Sequence, residues 1–218
     1  VLDGADNKGV WGELPVYLFR GLVRRLLSTA VQETGHTLPP RVPIDREEMP
    51  LKRSLVSQIL ARLMATGQLK AIGPLANREG CVNTIATLLG EIERSAKSAT
   101  EVAEIIAART SDLAPETASR GRSERGLHTQ NDFDQEVALI YATYSNLLNR
   151  YQLTEADADQ LRALSALRGN LDGVAVTLPW LDEVHLLILD GFFDFTPVQG
   201  EILRQLIPLL PQTIVNLN

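Results

Sequence analysis

Asp190 closes the apolar run HLLILD (185–190) and is followed by Gly191 and Phe192. A carboxylate at the carboxyl end of an apolar strand stands where open α/β sheets bind their ligands. In nucleotide hydrolases with a phosphate-binding loop, an aspartate so placed helps to hold Mg²⁺. An acidic neighbour would assist attack by water, and Gly191 has no side chain for that work. The chain contains no GxxxxGK(S/T), so nothing in it cradles a triphosphate. The plainer role for Asp190 is to cap a turn or accept from nearby backbone amides.

A second kind of chemistry is phosphate contact. Arg20, Arg24 and Arg25 cluster on the polar side of a predicted first helix. Lys52 and Arg53 open a second helix, and Arg120, Arg122 and Arg125 fall in a polar segment. Guanidinium groups in such clusters can neutralise phosphates; the competing role is a solvated helix face paired with acids such as Glu33. His36, His128 and His185 are far apart and in unlike contexts, which does not describe a metal site. Cys81 is the single cysteine, so neither an internal disulfide nor a cysteine-held cluster can form within the chain. No Ser/His/Asp or Cys/His signature is present, and no catalytic residue is assigned. Tyr141, Tyr144 and Tyr151 follow helical spacing and are expected in a core or interface.

The elements that position these groups follow from periodicity. Phe19, Leu22, Val23, Leu26, Leu27, Ala30 and Val31 form one helical stripe. Prolines 39, 40 and 43 demand a loop. A second helix opens at Pro50 and stops at Gly67, and a third covers Cys81–Ser95. Ser98 and Glu101 make a capping box for a short fourth helix. Residues 112–130 are polar, with proline and glycine, and predict a mobile loop. A long fifth helix runs from Phe133 to Tyr151, and Thr154 is expected to cap a sixth that ends at Gly169. Trp180 is expected to anchor the helical part against the C-terminal segment.

That last segment changes character. HLLILD has the continuous apolarity of a strand covered on both faces. Thr196, Pro197 and Gln199 open a helix as N-cap, first-turn proline and capping-box partner. Pro211 ends it and TIVNLN is strand-like, giving a βαβ unit. Such a strand belongs in a larger parallel sheet, and the sequence offers too few partners. The chain, which lacks an initiator methionine, is therefore expected to be a piece of a larger protein. The predicted fold is mainly α: a helical bundle over 1–175, then a strand–helix–strand unit over 176–218.

The 218 residues carry 44% hydrophobic side chains and a net charge of −6. That composition fits a globular core and argues against a wholly basic nucleic-acid-binding surface, while leaving room for a local basic groove. No run approaches the length of a membrane span. A reducing, cytoplasmic setting fits the lone cysteine.

The order of parts resembles the AddB-type subunit of bacterial helicase–nuclease complexes. LLILDGFFDFTPVQGEILRQL (186–206) carries the specific part of the likeness, through DGF followed by FTPxQ. Weaker likeness lies in YLFRGLVRRLL (17–27), residues 74–95 and DFDQEVALIYATYSNLLNRYQL (132–153). The resemblance implies that residues 15–175 are the helical insertion of a superfamily 1 helicase-like domain, and that 180–218 re-enter its RecA-like sheet. Asp190, Gly191 and Phe192 would then be a degenerate Walker B strand end, with Gly191 where an active helicase has glutamate. It also implies DNA and a partner helicase–nuclease subunit as partners, with ATP, Mg²⁺ and an iron–sulfur cluster belonging to the parent protein and no cofactor to this segment. Arg20, Arg24 and Arg25 become candidate DNA contacts. On this reading the segment scaffolds DNA-end processing without unwinding or cutting. The alternatives are a helical protein-interaction module that needs no nucleic acid, and an active nucleotide-hydrolase fragment, which Gly191 and the missing phosphate loop disfavour.

Overall fold

The computed structural model describes residues 15–44, 51–116, 124–191 and 194–216 and, within them, the side chains outside 111–129. The described chain is mainly helical. Helices α1 (Phe19–Ser28), α2 (Leu51–Ala65), α3 (Glu79–Arg94), α4 (Ala99–Glu116), α5 (Glu124–Arg150), α6 (Ala156–Leu167) and α7 (Pro197–Leu206) follow in order. Between them lie short strands: β1 (Val31–Gln32), β2 (Val42–Pro43), β3 (Leu153–Thr154), β4 (Asn170–Leu171), β5 (Val174–Thr177), β6 (Leu187–Asp190) and β7 (Thr213–Asn216).

Among the described residues two large apolar cores organise the helices, beside a small cluster of Ala30, Ala166, Leu171 and Val176. In the first, Val56, Ile59, Leu60 and Leu63 of α2 meet Val82, Ile85 and Leu89 of α3 and Val137, Ile140, Tyr141, Tyr144 and Leu148 of α5. The spacing of three and four residues puts each set on one helix face, as the sequence requires. The second core joins Phe19, Leu22, Val23 and Leu26 of α1, Ala163 and Leu164 of α6, Leu189 of β6 and Val198, Ile202, Leu203 and Leu206 of α7. It draws on residues from both sides of position 175. Trp180 packs at its margin, edge-on to Tyr17 with ring centroids 6.5 Å apart.

Among the described residues three small sheets complete the fold: antiparallel β1–β5–β4, the parallel pair β2–β3 and the parallel pair β6–β7. The last is joined through α7 and is the predicted strand–helix–strand unit, with Leu187 opposite Thr213 and Asp190 opposite Asn216. At the start of α7 the Thr196 N–H donates to Gln199 Oε1 at 3.1 Å, as the capping signature predicts.

Several expectations are corrected. β6 is not covered on both faces: Leu189 is buried, but Ile188 is 58% exposed, as is Ile214 at 53% on β7. Helix α7 covers one side of this two-stranded sheet, and side chains alternate across it, so the other side faces outward. Residues 112–116 continue α4 and 124–130 open α5, where a mobile loop was expected; 117–123 lie outside the described residues. Both helix ends are polar, so apolar periodicity gave no signal. Next to those ends polar links join the two helices, Arg109 to Asp134 at 3.1 Å and Thr110 Oγ1 to Asn131 Oδ1 at 2.6 Å. The residue at the N-cap of α6 is Glu155, not Thr154, whose hydroxyl donates to the Asp159 carboxylate. The hairpin β4–β5 was not foreseen. Its two-residue turn, Asp172–Gly173, has φ of +55° and +84°, the pairing an Asp-Gly dipeptide favours.

Candidate functional site

Asp190 stands at the carboxyl end of β6, exposed, and accepts a hydrogen bond from Asn216 Nδ2 at 2.7 Å. The carboxylate is therefore turned along the strand ends toward β7. Gly191 follows with φ of +72°, and among the described residues, its chain neighbours apart, no heavy atom lies within 4 Å of where a Cβ would sit. The left-handed backbone, rather than crowding, accounts for glycine here. Phe192 lies outside the described residues. Among the described residues no group of three His, Cys, Asp or Glu side chains is placed to hold a metal ion.

The three arginines of α1 separate. Arg25 turns to Trp180, with its guanidinium carbon 5.3 Å from the ring centroid, a cation–π contact that fixes it away from its neighbours. Arg20 and Arg24, one turn apart, border a groove of about 1130 Å³. Its other wall is the proline-rich segment from Thr37 to Pro43, and Arg41, Thr154, Asp159, Arg162 and Leu171 complete it.

Sequence reasoning did not include Arg41 and Arg162 in this group. The Arg41 side chain is 3% exposed and its Nη2 lies 2.6 Å from Asp172 Oδ2. Its Nη1 donates to Asn149 Oδ1 at 2.9 Å and to the Leu153 carbonyl at 3.2 Å. Its Nε is buried without a hydrogen-bond partner. Arg162 grips the same carboxylate with two donors, Nε to Oδ1 at 3.2 Å and Nη2 to Oδ2 at 2.9 Å, and reaches Asp159 with Nη1 at 3.0 Å. Burial and the nearby Arg162 charge lower the pKa of Arg41, against the pull of Asp172. Burial pushes Asp172 up, but hydrogen bonds and charge from Arg162 and Arg41 outweigh it and leave the carboxyl below its ordinary value. Asp172 is placed for this role by the hairpin turn. The groove thus brings four guanidinium groups near two carboxylates, a local excess of positive charge on an acidic chain.

A separate ionic cluster lies inside. Glu93 is 2% exposed and Glu155 4% exposed. Lys52 Nζ lies 2.7 Å from Glu155 Oε1 and 3.7 Å from Glu93 Oε2, and Arg94 pairs with Asp157 at 2.6 Å. Burial, reinforced by the Glu155 charge, pushes Glu93 up to about 9, with Lys52 opposing. Glu93 is therefore protonated at neutral pH. Burial, then the Glu93 and Glu155 charges, raise the Tyr141 phenol as well. The cavity that Glu93 and Tyr141 share, about 130 Å³, is smaller than the roughly 300 Å³ at which ligand pockets begin, so the cluster reads as structural. Gly90 makes room for it: a Cβ there would lie 3.2 Å from Asp157 Oδ2 and 3.3 Å from Arg94 Nη1.

Among the described residues no helix is long and apolar enough to cross a membrane. Compared with known proteins, the chain matches no family model and no curated protein.

Proposed function

We propose that this chain is the non-catalytic, helicase-like part of a DNA-end-processing and recombinational-repair subunit of the AddB type, acting as a scaffold that contacts DNA. The observation that carries the reading is the β6–α7–β7 unit. Its strands are parallel, Asp190 ends the first of them, and the residue after it is a left-handed glycine with no acid to activate water. That unit is what a remnant of a RecA-like sheet requires, with the helices from α1 to α6 as the inserted subdomain. The basic groove beside α1 supplies a surface for phosphates. On this reading the segment neither hydrolyses ATP nor cuts DNA; ATP, Mg²⁺ and an iron–sulfur cluster belong to the rest of the parent protein. Its partners are DNA and a second helicase–nuclease subunit, in the cytoplasm.

The test is made on the complete gene product with its partner subunit. It should degrade linear duplex DNA from an end in the presence of ATP, and Asp190→Ala should leave ATP turnover unchanged. Absence of end-dependent degradation, or loss of ATP turnover in that variant, would refute the reading. A second reading, a helical protein-interaction module, is favoured by the outward apolar residues Leu186, Ile188 and Ile214. It predicts a stable protein complex with no DNA-end activity in the same assay.

A further inference from the structure

We propose that the groove between α1 and the proline-rich segment binds the backbone of a single-stranded nucleic acid, with Arg20 and Arg24 as the strand-contacting residues. The proposal rests on the DNA reading above and narrows it to one groove and one strand form. Arg20 and Arg24 are exposed on the groove rim and are one helical turn apart, about 6 Å along the axis. That rise is of the order of the step between phosphates in an extended strand. Arg24 has no acidic partner among the described residues. Below the rim, Arg41 and Arg162 are fixed by Asp172 and Asp159, which balance their charge, so the positive charge offered to a ligand comes from the rim. Arg41 Nε remains a buried donor without a partner.

Surface selects the ligand. At about 1130 Å³ the groove has room for a segment of extended chain. The walls also carry apolar surface from Leu27, Leu38 and the prolines. Unstacked bases can lie on such a surface, whereas a duplex keeps its bases inside the stack. Among the described residues no aromatic ring lines the groove, so base stacking is weak and sequence preference is slight.

The experiment measures fluorescence anisotropy of a labelled oligothymidylate with the full 218-residue chain over a range of salt. Two neutralised phosphates give a slope of log K against log salt of about −1.4. Arg24→Glu should weaken binding about tenfold or more and bring the slope to about −0.7. Arg25→Glu makes the same charge change one residue away, but outside the groove, and should cost less than about threefold. Circular dichroism confirms that both exposed-site variants are folded. No saturable binding by the unaltered chain overturns the proposal. So does equal weakening by the two variants, which would mean diffuse attraction, or binding of duplex DNA or polyglutamate as tight as that of the single strand. Each of these leaves the DNA-end reading standing, because that reading fails only in the degradation assay on the whole protein.

Discussion

Glu93 shows how one buried proton holds a junction together. α2, α3 and α6 converge there and bring three carboxylates, Glu93, Glu155 and Asp157, to two cations, Lys52 and Arg94. A proton on Glu93 relieves the excess negative charge. In the unfolded chain Glu93 would titrate near 4.5, and in the folded chain it titrates at about 9. Between those values the folded state holds the proton and the unfolded state does not, so stability is full below the lower value and falls as pH rises toward the upper one. The loss for this single group approaches about 1.4 kcal/mol per pH unit. Urea unfolding between pH 6 and pH 9 should show the decline, and Glu93→Gln, which keeps a neutral side chain of the same shape, should flatten it. A wild-type curve that is level over that interval would mean that Glu93 is ionised in the folded protein.

At the scale of elements, the join between α5 and the segment before α3 depends on Glu136. This side chain is 5% exposed and accepts from three successive backbone N–H groups: Lys70, Ala71 at 2.8 Å and Ile72 at 2.8 Å. A carboxylate in such a cradle does the work of a cap for a stretch with no regular partner. Glu136→Ala orphans those donors and should cost about 3 kcal/mol, a fall in Tm of about 6–12 °C by calorimetry. A change of about 1 °C or less would show that solvent replaces the carboxylate. The sequence did not disclose this link, because Glu136 sits among other polar residues of a helix and its partners are main-chain groups 64–66 positions away. What it did disclose were elements with a repeating apolar signal or a local cap: the α1 stripe as far as Leu27 (Val31, expected on it, lies on β1), the Ser98–Glu101 box and the Thr196–Gln199 opening of α7. It failed for the end of α4 and the start of α5, whose residues are polar and carry no apolar period.

At the scale of the whole molecule, the candidate site was half legible. Arg20 and Arg24 were marked by their clustering, and Arg25 was grouped with them because adjacency in sequence conceals the turn of about 100° between successive helical residues. Arg41 and Arg162 were missed because neither stands in a cluster; only the packing of residues 37–43 against α6 and the β4–β5 hairpin brings them to α1. The two-layer expectation for β6 failed for a similar reason, since an apolar run records what a strand tolerates and not which of its faces another element reaches. The placement of Asp172 has one more consequence. It belongs at once to the tip of the hairpin and to the two guanidinium groups in the floor of the groove. A ligand seated over that floor should damp the motions of that tip, so hydrogen–deuterium exchange across 170–177 should slow when the groove is occupied. The little hairpin would then act as a built-in reporter, readable by mass spectrometry with no label on the protein.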